Sequence, residues 1–174
     1  MNLQEATELI SNQYITSLKY PTTWADLGCG NGLFTRALAG LLQPGSMIFG
    51  IDKKPVLDSS VLSNGTAIKA VTADFETDDL PFEAGDGILM ANSFHYIQKK
   101  EQFTRKLLQR CTNNAAFIVV EYETRLANQW VPYPIDFSML EQLFKATGFS
   151  NIKQIGKHPS MHRNGFMYAA LAIK

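Results

Sequence analysis

Trp24-Ala25-Asp26-Leu27-Gly28-Cys29-Gly30-Asn31-Gly32 reads as a short apolar strand running into a turn with glycine at every second position. A helical pattern follows at once over Leu33 to Leu42, with Leu33, Ala37 and Leu41 on one face. Glycines in such a turn let the backbone fold tightly and approach a ligand without side-chain obstruction. The helix start behind it offers N–H groups to a polar or anionic ligand group. Strand, glycine turn and helix in that order are the opening unit of an open α/β sheet, whose ligands sit beyond the carboxyl ends of its strands.

The same alternation extends in both directions. Upstream, Leu3, Ala6, Ile10 and Tyr14 keep a helical spacing and predict one N-terminal helix over residues 1–20, stopped by Pro21. Downstream, Gln43-Pro44-Gly45 ends the first core helix, and Ser46 to Ile51 is the second strand. A short helix is expected over Pro55 to Leu62, then a strand from Ala67 to Ala73 and an acidic, turn-rich segment from Phe75 to Gly85. Gly87 to Ala91 is a fourth strand, and Gln98 to Cys111 a helix with Phe103, Leu107 and Cys111 in register. Ala115 to Val120 is almost wholly apolar, as in a strand buried on both faces of a parallel sheet. A loop with Trp130, Pro132, Tyr133 and Pro134 leads to a helix over Phe137 to Ala146, with Gly148 as its left-handed cap. Two strands, Phe149 to Ile155 and Phe166 to Ile173, end the chain without a helix between them. The expected fold is α/β: a doubly wound, mostly parallel seven-stranded sheet closed by a C-terminal antiparallel hairpin, formed by residues 21–174.

Composition narrows the function classes. The 174 residues suffice for one domain with a full core. Sixteen basic residues balance sixteen acidic ones, so no global field draws the chain to nucleic acid or anionic lipid. Cys29 and Cys111 lack metal-type spacing and read as reduced and structural; no metal site is expected. The first residues lack the basic start and apolar run of a signal peptide, and no apolar run is long enough to cross a bilayer. A cytoplasmic location is the resulting expectation.

Each strand end carries a chemically useful residue. The first ends in Asp26 and the glycine turn, and the second in Gly50-Ile51-Asp52, where a carboxylate can accept both hydroxyls of a ribose. The third ends in Ala73-Asp74-Phe75, where a carboxylate can accept from an exocyclic amine and an aromatic ring can flank a heterocycle. The fourth ends in Ala91-Asn92-Ser93-Phe94-His95-Tyr96. A glycine turn with acids at two successive strand ends describes a nucleoside site. The dinucleotide fingerprint would require a small residue at position 33, where Leu33 stands.

The segment Trp24–Gly32 resembles the first motif of class I S-adenosylmethionine-dependent methyltransferases, Gly50-Ile51-Asp52 their second and Ala73-Asp74-Phe75 their third. Asp86 to Ile97 resembles the fourth motif of their small-molecule, ubiquinone-biosynthesis-like (type 11) subgroup. The resemblance covers about Trp24 to Val120 and implies a Rossmann-like fold. It also implies a cofactor, S-adenosylmethionine, with S-adenosylhomocysteine as product. By the same resemblance, Asp26 and the turn of Gly28, Cys29, Gly30 and Gly32 would hold the methionine part, with Asp26 near its ammonium. Asp52 would take the ribose hydroxyls, Asp74 the adenine amine beside Phe75, and Asn92 would lie near the sulfonium methyl.

Several of these residues have plainer roles open to them. Asp52 can cap a helix starting at Pro55, and Asp74 can be one of a solvated acidic group with Glu76, Asp78 and Asp79. His95 can pack at the start of the next helix; His158, His162 and Arg163 can be idle in the hairpin connection; Trp130 and Tyr133 can be loop packing or the wall of a substrate pocket. On the acceptor side the expectation rests on Asn92, His95, Tyr133 and His162 as shaping residues. Asn92-Ser93-Phe94-His95 differs from the Asn/Asp-Pro-Pro-Tyr of base-amino methylation, and no Pro-Cys nucleophile is present there, so a small-molecule acceptor is expected rather than nucleic acid. The short lid leaves room for a partner protein to complete the pocket. Two alternatives stand: a degenerate cofactor-binding member acting as a partner subunit, and a nucleotide-linked oxidoreductase, the latter opposed by Leu33 and the closing hairpin.

Overall fold

The computed structural model describes residues 1–160 and 165–174. Alternation of apolar side chains along the strands builds a core on each face of one sheet. Trp24, Ile48, Ala116, Ile118, Val120, Ala169 and Leu171 face a cluster with helices α1 (Leu3–Ile10) and α3 (Leu33–Leu41). Their neighbours Ala25, Leu27, Phe117, Val119, Tyr168 and Ala170 face the opposite cluster with α4 (Lys100–Leu108) and α5 (Phe137–Thr147). The strands are β1 Thr23–Leu27, β2 Met47–Asp52, β3 Ser60–Val61, β4 Ala67–Thr72, β5 Gly85–Ala91, β6 Cys111–Tyr122, β7 Asn151–Pro159 and β8 Phe166–Ile173. Their spatial order is β3-β4-β2-β1-β5-β6-β8-β7. Strands β4, β2, β1, β5 and β6 run parallel, while β8 is antiparallel to both β6 and β7. The order reverses between β1 and β5, which places the ligand crevice at the ends of those two strands.

The closing hairpin and the Gly148 cap (φ 101°) are found as expected. Elsewhere tertiary contacts redraw the local pattern. The N-terminal segment is two helices, α1 and α2 (Gln13–Ser17), because Asn12 accepts the Ile15 N–H and starts a new helix. Its residues Ala6, Leu9, Ile10 and Ile15 are buried in the same cluster as α3.

The helix expected over Pro55 to Leu62 is absent. Asp52 accepts the Lys54 N–H at 2.9 Å and Val56 N–H donates to Gly30 at 2.8 Å, holding this stretch open across the glycine turn. Leu57 plugs the spaces that side chains at Gly32 and Gly50 would fill. Ser60 and Val61 then pair antiparallel with β4 as an eighth, two-residue strand. Cys111 does not end a helix but opens β6, opposite Gly85.

The centre of the sheet is closely fitted. A Cβ placed on Gly87 would lie 2.4 Å from ring carbons of Trp24, which is 1 % exposed and donates through Nε1 to Thr22 Oγ1. Overpacking of this kind costs about 2 kcal/mol, so Gly87→Ala is expected to lower Tm by roughly 4–8 °C. An unchanged melting curve would show that Trp24 can move aside.

Candidate functional site

The glycine turn is sewn to the end of β2. Gly28 and Cys29 N–H both donate to Ile51 O, at 2.8 and 3.1 Å, and Gly30 N–H donates to Asp52 Oδ2 at 3.0 Å. Gly28 adopts φ 84°, and a Cβ there would lie 2.5 Å from that of Ser93, so both backbone sign and close approach demand glycine. Ser93 is itself locked, donating from Oγ to Leu27 O at 2.5 Å. The first N–H of α3 is not open to a ligand: Leu33 N–H donates to Asn31 Oδ1 at 3.2 Å.

Two cavities meet at this turn and a third joins them at Asn92. One of about 380 Å³ is lined by Gly28, Asp52, Asp74, Phe75, Asn92 and Tyr96 among others. A second, of about 210 Å³, is lined by Asp26, Gly28–Asn31, Leu33, Phe34 and Asn92. A third, of about 160 Å³, lies under the hairpin and shares Leu33, Phe34 and Asn92 with the second. A wider shallow groove along α4, about 790 Å³, shares no residue with these three and is lined mostly by lysine, arginine and glutamine.

Asp26 stands on β1 beside the turn, 1 % exposed. Its Oδ2 accepts from Thr35 Oγ1 at 2.5 Å, while Oδ1 is buried with no hydrogen-bond partner among the described residues. Burial pushes its pKa up to about 7, with the Thr35 hydrogen bond pulling down and the nearby Asp52 charge pushing up. Such a group gains most from a cation. Cys29 is buried in the same turn, its thiol pushed up to about 12 by burial and by the carboxylates of Asp26 and Asp52, so it is an inert neutral group.

Asp52 is half-buried and holds the turn with Oδ2 and the Lys54 N–H with Oδ1, leaving lone pairs on both oxygens toward the larger cavity. It is no helix cap, since no helix follows. Asp74 forms an ion pair with Lys53 at 2.9 Å and accepts the Glu76 N–H at 3.1 Å. Partial burial raises its pKa, but Lys53 and that N–H outweigh this and hold the carboxyl below its ordinary range. Phe75 lines the cavity and packs against Phe103, with ring centroids 6.0 Å apart.

Asn92 closes β5 with a left-handed backbone, φ 53°, and lines all three cavities. Its side-chain Oδ1 is buried without a partner among the described residues. The other expected acceptor-side residues are not gathered there. His95 is 2 % exposed; its N–H donates to Glu121 Oε1 at 2.9 Å and its Nδ1 lies 2.8 Å from Glu121 Oε2, clamping the 3₁₀ turn Phe94–Tyr96 onto β6. Tyr133 packs on that turn, its N–H donating to His95 O at 3.0 Å while Lys100 Nζ donates to its carbonyl at 2.7 Å. Neither residue lines any of the three cavities. Trp130 is 70 % exposed. His162 and Arg163 lie outside the described residues.

Glu121, the partner that fixes His95 beside the site, is a residue that the sequence reading missed. The signal was present, an acid ending an apolar strand as at Asp26 and Asp52. Among the described residues no group of three or more His, Cys, Asp or Glu could hold a metal, and no helix is long and apolar enough to cross a membrane.

No curated protein matches the chain. Several solved structures share its fold. The 1,6-didemethyltoxoflavin N1-methyltransferase of Burkholderia thailandensis, bound to 1,6-didemethyltoxoflavin and S-adenosylhomocysteine, has 15% identity, a TM-score of 0.69, and coverage of 99% of this chain and 77% of its own. A SAM-dependent methyltransferase from Aquifex aeolicus has 15% identity and a TM-score of 0.64 over 99% of this chain and 98% of its own. Magnesium protoporphyrin IX methyltransferase of Synechocystis, with bound SAM, has 15% identity and a TM-score of 0.66 over 99% and 79%. At these identities the likeness shows the fold. The sequence profile described as a methyltransferase domain matches residues 25–119, over half of the chain and every strand end from Asp26 to Asn92; the chain belongs to the methyltransferase-domain family.

Proposed function

We propose that this chain transfers the methyl group of S-adenosylmethionine to a small-molecule acceptor. One observation carries the reading: two cavities joined at Gly28 and Asn92 offer, at one end, a buried carboxylate oxygen with no partner among the described residues and, at the other, a carboxylate beside an aromatic ring. The residues fit the cofactor. Asp26 Oδ1 would take its ammonium, Asp52 its ribose hydroxyls, and Phe75 the face of its adenine. Asp74 would meet the adenine amine after sharing or releasing Lys53. When bound, the cofactor would supply an activated methyl to a lone pair of the acceptor, with S-adenosylhomocysteine as leaving group and any acceptor proton released to solvent.

The protein's own task is placement. A nucleophile must be held about 3–3.5 Å from the methyl and in line with the departing sulfur. Asn92, with its backbone N–H donating to Val120 O at 2.8 Å and its side chain at the junction of the cavities, occupies the place where that alignment is set. His95 is held by Glu121 away from the cavities, so its role is to fix the turn that carries Asn92 and Ser93.

Titration calorimetry with S-adenosylmethionine and S-adenosylhomocysteine tests the reading. Saturable one-to-one binding and a ligand-dependent rise in Tm are expected. Absence of both from folded protein would remove it.

A further inference from the structure

The adenosine-sized and methionine-sized cavities account for the acids at the strand ends but leave the third cavity unexplained. It is walled by Leu33 and Phe34 of α3, Tyr122 at the end of β6, His158 of β7 and Met167 of β8, and it opens onto Asn92. Among the described residues, Asn92 is the one common to all three spaces. A ligand running from Asp52 past Gly28 to Asp26 passes Asn92, which lines both cavities, and the third cavity also reaches Asn92 without including either acid. A second molecule can therefore meet the first from there.

We infer that this cavity is the acceptor subsite and that it takes an uncharged, single-ring molecule bearing an O–H or N–H directed at Asn92 Oδ1. The inference rests on the methyl-transfer reading and names the substrate class that the reading leaves open. Size comes first. The space is about 160 Å³, and an apolar cavity of about 150 Å³ is known to hold a benzene ring. Charge comes next. No aspartate, glutamate, lysine or arginine is among the described lining residues, and the ammonium of Met1, which also lines the cavity, lies 3.9 Å from Glu5 Oε2. An ionised acceptor would shed hydration there against an ammonium that Glu5 already pairs, and so would gain little counter-charge in return. Polarity comes last. The Asn92 Oδ1 and Ser160 Oγ atoms are buried without partners among the described residues, one at the junction and one toward the hairpin tip. An unmet carbonyl oxygen beside the junction selects a molecule with a hydrogen to donate there, and a donor that is also the nucleophile is brought to the methyl by the same contact.

The test uses protein labelled with ¹³C in its methionine methyl groups and saturated with S-adenosylhomocysteine. The resonance of Met167, assigned with a Met167→Leu variant, is followed while phenol, anisole, benzoate and benzylamine are added in turn. Phenol is expected to shift Met167 saturably, anisole to bind at least ~5-fold more weakly for want of a donor, and the two ions to leave the resonance unmoved. Met167→Trp, which fills the cavity, is expected to abolish phenol binding while S-adenosylhomocysteine affinity stays within twofold. Failure of S-adenosylhomocysteine to bind would overturn the methyl-transfer reading, and the acceptor assignment with it. Binding of S-adenosylhomocysteine with no response of Met167 to phenol would overturn the acceptor assignment alone. Benzoate or benzylamine matching phenol would overturn the uncharged class, and anisole matching phenol would overturn the role of Asn92 Oδ1.

Discussion

Asp52→Ala is expected to weaken S-adenosylmethionine binding by roughly 10²–10³-fold, the loss of two charge-assisted hydrogen bonds to a ribose. The substitution removes more than a ligand contact, because Asp52 also accepts the Gly30 and Lys54 N–H groups that hold the glycine turn and the following strap in place. Asp52→Asn separates the two effects. Its amide oxygen can keep one of these backbone bonds and one ligand bond, so a loss of only about 10-fold is expected, together with a Tm close to that of the parent. Calorimetry on the three proteins reads the affinities and thermal melts read the turn. Affinity within threefold of the parent for Asp52→Ala would show that the ribose is not held here.

How much of this was legible beforehand depended on distance along the chain. The glycine turn, Asp26, Asp52 and the fourth-strand residues could be placed because each lies within a few residues of a strand end, and the order of strands and helices then carries them to one side of the sheet. The helix expected after Asp52 failed for a non-local reason: Leu57 is drawn into the space left by Gly32 and Gly50, and no periodicity within Pro55–Leu62 records that. Cys111 was misassigned because its helical spacing from Leu107 holds only until Gly85, 26 residues earlier, pairs with it. His95 illustrates the same limit at the site. A histidine behind a strand end suggests a base, but its partner Glu121 sits 26 residues on and turns the ring toward structure. Tyr133 is likewise bound to the backbone of the His95 turn across 38 residues. Local chemistry thus singled out the strand-end residues proposed to hold the cofactor, whereas the cavity proposed for the acceptor, assembled from α3, β6 and the hairpin, is visible only once the chain is folded.

Asp26→Asn should separate stability from binding, with opposite signs. The folded-state pKa is raised from the model-compound value of 3.8 to about 7, chiefly by burial. The folded protein therefore keeps a proton that the unfolded chain has already lost, and stability falls as pH rises from about 4 through 7. Above pH 7 the parent carries a buried carboxylate with one oxygen unpartnered among the described residues, whereas the amide variant carries none. The variant is accordingly expected to melt roughly 5 °C higher than the parent at pH 8 and close to it at pH 5. Ligand binding should move the other way. An ammonium beside Oδ1 favours the ionised carboxyl, so parent affinity for S-adenosylmethionine should rise as pH increases through about 7. Binding near that pH should release a proton, seen as a dependence of the calorimetric heat on the ionisation enthalpy of the buffer. In the variant the affinity should be roughly 10–100-fold lower at pH 8, with the pH dependence and the proton release both lost. A parent affinity flat between pH 6 and 8, or a variant no more stable at pH 8, would mean that Asp26 is ionised throughout and is satisfied by something other than the ammonium.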